Sequence, residues 1–175
     1  MWRSEIKFLK TLEYHKMRHL IIALFLLCNL FSPAWAQHAV QEEILTGADR
    51  IPAYLPQLKG KRVALLVNQT SEIDGVLLPD TLLKLGVNVV KIFSPEHGFR
   101  GNADAGAHVK SGVDAQTGLE VISLYGSNKK PTTEQLKNVD LLVYDLQDVA
   151  ARFYTYISTL QYPLVACGDQ KKPLM

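Results

Sequence analysis

The fold class predicted by this chain of 175 residues is α/β: a Rossmann-like parallel sheet flanked by helices. Three observations predict it. Short apolar runs rich in Val, Ile and Leu alternate with stretches of helical periodicity. The first run, 62–67, is continuous rather than alternating, as in a strand buried on both faces. Several of the runs end at a polar or glycine-bearing turn, as βαβ units with right-handed crossovers require.

Residues 1–36 read as a secretory signal. Lys16, Arg18 and His19 form a basic patch, residues 20–27 (LIIALFLL) an apolar core, and Ala34-Trp35-Ala36 a small-x-small cleavage site before Gln37. A spanning helix needs roughly 20 predominantly apolar residues, and this run is interrupted by Asn29, Ser32 and Pro33. Residues 1–16 are mixed in character, and Met17 is a more usual start than Met1. Leu27 before Cys28 is unlike the small residue of a lipoprotein signal. Export to the periplasm or the medium is therefore expected, with membrane contact only through the signal.

Residues 37–60 read as a lead-in helix and linker: Glu42 and Glu43 precede Gly47, then Ile51, Tyr54, Leu55 and Leu58 fall at helical spacing before Gly60. Residues 61–175 carry the sheet. Strands are expected at 62–67 (RVALLV), 87–93 (VNVVKIF), 121–124 (VISL) and 141–146 (LLVYDL). Helices are expected at 81–85, starting near Pro79 and stopped by Gly86, at 131–137 with Thr132 or Thr133 near its start and Glu134 in its first turn, and at 152–167 with Gly168 as its stop. Residues 171–175 approach a fifth strand with only Leu174 and Met175 in place. The domain is thus expected to be truncated before its last strands.

Composition narrows the function. Fourteen of the nineteen basic residues and fifteen of the seventeen acidic ones lie after residue 36, so that part is near −1 despite the formal +2 of the whole. No basic stripe with interleaved aromatics is present, against nucleic acid. Neither a G-x-G-x-x-G turn nor a P-loop follows any strand, against a nucleotide cofactor. Asp104 and His108 lack a ligand-like companion, so no metal is expected. Beyond the signal Cys167 is the only cysteine; no intrachain disulfide can form, and a buried apolar role fits it better than a nucleophile's.

In parallel sheets ligands bind outside the carboxyl ends of the strands, so the segments to watch are 68–71, 94–101, 125–130 and 145–156. Asn68 is either a ligand contact or a turn former. In 94–101 (SPEHGFRG), Pro95 fixes the turn and Gly98 and Gly101 permit positive φ, so Glu96, His97 and Arg100 project around one mouth. Glu96 there is either a general acid or one half of a structural ion pair with Arg100. Asp145 and Asp148, after the fourth strand, are each either the second carboxyl of a glycoside hydrolase or a helix cap. Arg152, Tyr154 and Tyr156 offer a cation and rings to a sugar, or a helix surface and its anchors.

Taken together, the blocks GKRV (60–63), NQT (68–70), FSPEHGFRG (93–101), LYG (124–126) and DLQDVAARFYTYIST (145–159) resemble the exo-β-N-acetylmuramidase family, long catalogued as a domain of unknown function. The resemblance runs from about Gly47 to Leu160. It implies a Rossmann-like N-terminal domain, a C-terminal domain and a cleft between them. It also implies release of N-acetylmuramic acid from the non-reducing ends of peptidoglycan fragments, without a cofactor. The motif glutamate maps to Glu96 as the catalytic residue. Asn68, His97, Asp145, Asp148, Arg152 and Tyr154 fall in matching motifs as binding or supporting residues, and an Arg such as Arg152 is expected to read the lactyl carboxylate of muramic acid. Members continue well past Met175, so this chain is expected to be an incomplete copy. The alternatives are a sugar-binding module without turnover and an inactive remnant.

Overall fold

The computed structural model describes residues 2–30, 44–101 and 111–175. The cleavage motif at 34–36, Gln37, Glu42, Glu43, Asp104 and His108 lie outside the described residues. The chain forms two compact units, Met1–Ile44 and Leu45–Met175. Among the described residues the first contains the helix α1 (Trp2–Leu30), which carries both the basic patch and the apolar run. Leu20, Leu24 and Phe25 are each more than half exposed on it. Among the described residues no helix is long and apolar enough to cross a membrane.

The second unit begins with α2 (Ile51–Leu58), where Pro52 takes an early helical position that needs no N–H donor. Leu58 is wholly buried, and Tyr54 and Leu55 pack beside it, so the lead-in helix shares the core of the sheet. The strands are β1 (Val63–Val67), β2 (Glu72–Ile73), β3 (Val76–Leu77), β4 (Val89–Ser94), β5 (Gly112–Val113), β6 (Glu120–Ser123) and β7 (Leu141–Asp145). Three helices complete the unit: α3 (Leu78–Lys84), α4 (Thr133–Leu136) and α5 (Tyr156–Asp169).

The main sheet runs β5-β6-β4-β1-β7. β1 pairs in parallel with β4 on one side and β7 on the other, and β4 pairs in parallel with β6. Strand order therefore reverses at β1, and ligand crevices form at such a switch point. Every residue of β1 is buried. Val63, Leu65 and Val67 face a core shared with α2 and α3, while Ala64 and Leu66 face one shared with α4 and α5. That two-sided burial explains why the run is continuously apolar. At the opposite rim, the Asp140 carboxylate accepts from the Arg62 backbone N–H at 2.8 Å and from its guanidinium at 2.6 and 2.9 Å, pinning the start of β1 to that of β7.

The fifth strand begins where expected. Leu174 bridges Leu142 in parallel, Met175 N–H donates to the Leu142 carbonyl at 2.9 Å, and Tyr144 N–H donates to that of Met175 at 2.8 Å. α4 has Thr132 as its N-cap, in a reciprocal box with Gln135.

Several expectations need correction. The sheet is mixed rather than wholly parallel, because β5 joins β6 antiparallel. A hairpin, β2–β3, occupies the stretch between β1 and α3. Its turn is Asp74-Gly75, both at positive φ (50° and 74°), the geometry that matches the twist of paired strands. α3 begins at Leu78, beside the expected start near Pro79. The last helix begins at Tyr156 rather than Arg152, and residues 146–155 form an irregular segment in which Ala150 holds φ 56°. Gly168 lies inside the final turn instead of stopping it. Lys171 adopts the left-handed conformation (φ 52°), and Lys172 N–H donates to the Cys167 carbonyl at 2.9 Å.

Candidate functional site

The carboxyl rim of the sheet brings four strand ends together. Ser94 closes β4 beside Ser123 of β6, and Val67 of β1 lies opposite Asp145 of β7. The loops leaving these strands carry the chemistry.

After β4 the chain turns sharply, with Gly98 N–H donating to the Pro95 carbonyl at 3.2 Å. His97 (φ 70°), Gly98 (φ 77°) and Gly101 (φ 69°) all lie in the left-handed region. For histidine that backbone is unusual, and such outliers concentrate at working sites. A side chain at Gly101 would stand 3.0 Å from the Gln69 side chain, so glycine is what lets this turn close on the loop after β1. Glu96, half-buried, is thereby presented to a hollow of about 220 Å³ between the loop after β6 and the first turns of α5. Tyr125 and Lys129 border the hollow on one side, and Thr155, Ser158, Thr159 and Tyr162 on the other. The Glu96 carboxylate beside the Tyr125 hydroxyl holds that phenol above its ordinary pKa. Among the described residues that line the hollow Glu96 is the only carboxyl and Lys129 the only cation.

The turn is held from behind by Arg100. Its guanidinium grips Asp114 in a fork, Nε to Oδ1 at 2.7 Å and the second arm to Oδ2 at 2.8 Å, and reaches Asp80 at 3.4 Å. It also lies 4.7 Å from the centroid of the buried Phe99 ring. The Arg100 fork holds the Asp114 carboxyl well below the usual carboxylate range, helped by the Thr117 hydroxyl and N–H. The sequence places Arg100 at the mouth, either toward substrate or paired with Glu96. In the structure its ion-pair partners are instead Asp114 and Asp80, and its donors are directed at them.

The rim between β1 and β7 is built differently. Asn68 is fully buried. Its amide donates to the Tyr156 hydroxyl at 2.8 Å, and its Oδ1 accepts from the N–H and hydroxyl of Thr70 at 3.0 and 2.7 Å. The Ser71 hydroxyl donates to the Asp145 backbone carbonyl. The turn-forming reading of Asn68 is thus realised. Burial raises the Asp145 pKa, with a Ser71 hydrogen bond opposing that rise. Asp145 borders a second, mostly apolar hollow of about 430 Å³ with Tyr54, Ala53, Leu78 and Val143. Glu96 is not among that hollow's lining residues.

The remaining expected residues lie in or near the segment before α5. Asp148 is exposed, and its carboxylate accepts from Ala150 N–H at 2.7 Å, a local turn. Neither Asp148 nor Asp145 caps α5; Thr155 holds that position without a side-chain bond. Arg152 is exposed. Tyr154 meets Tyr156 edge to face, centroids 4.8 Å apart. Cys167 is buried on α5 and burial raises its thiol pKa, the opposite of an activated nucleophile. Sequence reasoning missed Lys129, Ser158, Thr159 and Tyr162 as lining residues. Lys129 lies in a segment that the strand-end rule marks, Ser158 and Thr159 close the 145–159 block, and Tyr162 lies on α5 beyond any motif.

The Ser94 hydroxyl is buried without a hydrogen-bond partner among the described residues.

Comparison with known proteins gives concordant results. Residues 63–175 match the family described as exo-beta-N-acetylmuramidase NamZ, N-terminal. The peptidoglycan beta-N-acetylmuramidase NamZ of Bacillus subtilis is 45% identical over 149 residues, covering 79% of this chain and 34% of that protein. The chain thus spans about a third of the length of this curated relative. Two crystal structures of DUF1343 family proteins from Bacteroides fragilis share the fold. One gives a TM-score of 0.63 and the other 0.62, each at 40% identity, covering 70% and 73% of this chain and 31% and 32% of theirs.

Proposed function

This chain belongs to the exo-beta-N-acetylmuramidase NamZ N-terminal family, and from that premise we propose that it serves hydrolysis of peptidoglycan fragments with release of N-acetylmuramic acid. The single observation that carries the reading is the placement of Glu96, half-buried at the mouth of a hydroxyl-lined hollow on the carboxyl rim. In this reading the Glu96 carboxyl delivers a proton to the glycosidic oxygen as the bond to the anomeric carbon breaks, and water completes the reaction after an oxocarbenium-like transition state. Tyr125 lines the hollow beside the carboxyl, and the rings of Tyr125 and Tyr162 offer apolar faces to a sugar.

A second reading, saccharide binding without turnover, is favoured by one feature. Glycoside hydrolysis usually employs two carboxyls, and among the described residues Glu96 is the only one lining this hollow. A chromogenic β-N-acetylmuramide separates the two readings. The hydrolase reading expects release of the chromophore, reduced by roughly 10²–10⁴-fold in Glu96→Gln. Release that is equal in wild type and Glu96→Gln rejects Glu96 as the acid, and tight binding without release establishes the second reading.

The reading includes export, with residues 1–36 acting as the signal and the mature protein in the periplasm or the medium. N-terminal sequencing of the mature protein is expected to begin at Gln37; a start near Trp2 contradicts cleavage.

A further inference from the structure

Muramic acid differs from glucosamine by a lactyl ether that adds a carboxylate. That carboxylate enters a hollow at least cost where a cation faces it. Arg100 cannot serve, since Asp114 and Asp80 engage it. Arg152 does not line the hollow. Lys130 donates to Asp169 at 2.7 Å. The adjacent Lys129 borders the hollow, is exposed, and has no ion-pair partner among the described residues. Across from it stand the hydroxyls of Thr155 and Ser158, donors suited to a carboxylate's remaining lone pairs.

We propose that Lys129 is the specificity-determining residue of this site, binding the lactyl carboxylate of the muramic acid residue. The proposal rests on the saccharide reading above and names the group that selects muramic acid over glucosamine. Lys129 supplies attraction for the lactyl carboxylate, and that carboxylate left without a counter-charge supplies the penalty when the cation is missing.

The test is binding rather than turnover, so that it stands apart from the acid role of Glu96. The full 175-residue chain is titrated with N-acetylmuramic acid and with N-acetylglucosamine by isothermal calorimetry or nitrogen-15 NMR. Wild type is expected to prefer the muramic sugar by about tenfold, the scale of one charge-assisted hydrogen bond. Lys129→Ala is expected to bring the ratio near one while leaving the glucosamine sugar's affinity unchanged. Lys129→Arg restores most of the preference, and Lys130→Ala retains all of it. A preference that survives Lys129→Ala, or one abolished by Arg152→Ala instead, overturns the assignment and leaves the saccharide reading standing. Failure of wild type to bind either sugar overturns the saccharide reading and this inference with it.

Discussion

Glu96 and Asp145 leave strands on opposite sides of β1, at the same rim of one sheet, and the two corners they occupy differ in kind. Glu96 faces a small hollow bordered by hydroxyls, two tyrosines and a lysine. Asp145 sits where Asn68, Ser71, Thr70 and Tyr156 satisfy one another, beside a hollow that is larger and mostly apolar. One corner leaves polar groups facing open space; the other uses them to hold the fold. A carboxylate at a strand end is therefore not yet a site. The two corners are separated by whether the neighbouring donors point outward or are consumed internally.

Substitutions at each corner sharpen or break this contrast. The largest expected effect is on turnover. Glu96→Gln loses roughly 10²–10⁴-fold, while its urea midpoint stays within what about 0.5 kcal/mol produces, because the hollow contributes little to packing. A large loss of stability would move Glu96 into the structural class. Next is Arg100→Ala, which strips the counter-charge from Asp114, a carboxylate only 8% exposed. The expected cost is about 3 kcal/mol by denaturant unfolding. The Asp114 carboxyl is depressed in the fold, so its stabilisation is fully present above the ordinary carboxylate pKa of about 4 and is lost as pH falls toward the depressed value. Arg100→Ala therefore also flattens the acid limb of the stability curve; an unchanged acid limb would show that the clamp contributes nothing.

Asn68→Ala comes third, at about 2 kcal/mol, since Tyr156 and Thr70 lose their partner in a buried place. A neutral result would mean that this corner is not the knot described. Asp145→Asn has a smaller effect of opposite sign. Burial raises that carboxyl's pKa, so the folded chain binds the proton more tightly than the unfolded one, and stability falls as pH rises through the raised value. The amide removes that penalty. Its melting temperature is expected to exceed wild type at pH 7, with the gain gone below about pH 4. The smallest effect is Lys130→Ala, under about 0.5 kcal/mol, because its pairing with Asp169 is exposed.

Much of this is legible in the sequence. β1 announces itself because a strand buried on both faces must be continuously apolar, and VALLV is; β4, β6 and β7 carry shorter apolar runs beside Lys91, Glu120 and Asp145. The strand-end rule places Glu96 at a mouth, and the Pro95 and Gly98 turn delivers it there. The start of α5 is not legible. Val149 and Phe153 give residues 146–155 the apolar content of a helix, yet Phe153 is 89% exposed. The Asp74-Gly75 hairpin carries its signal in the dipeptide, but strands of two residues leave no periodicity to read. Arg100 misleads because its partners lie 14 and 20 residues away in the chain. Lys129 carries no motif; only the assembled rim distinguishes it from Lys130.

The central claim is that the Glu96 corner, and not the Asp145 corner, receives the sugar. Nitrogen-15 NMR of the full chain titrated with N-acetylmuramic acid tests it most directly. The account predicts amide shifts gathered at Glu96, Tyr125, Lys129 and the start of α5 around Thr155 and Ser158. Shifts gathered instead at Tyr54, Asn68, Val143 and Asp145 would contradict it.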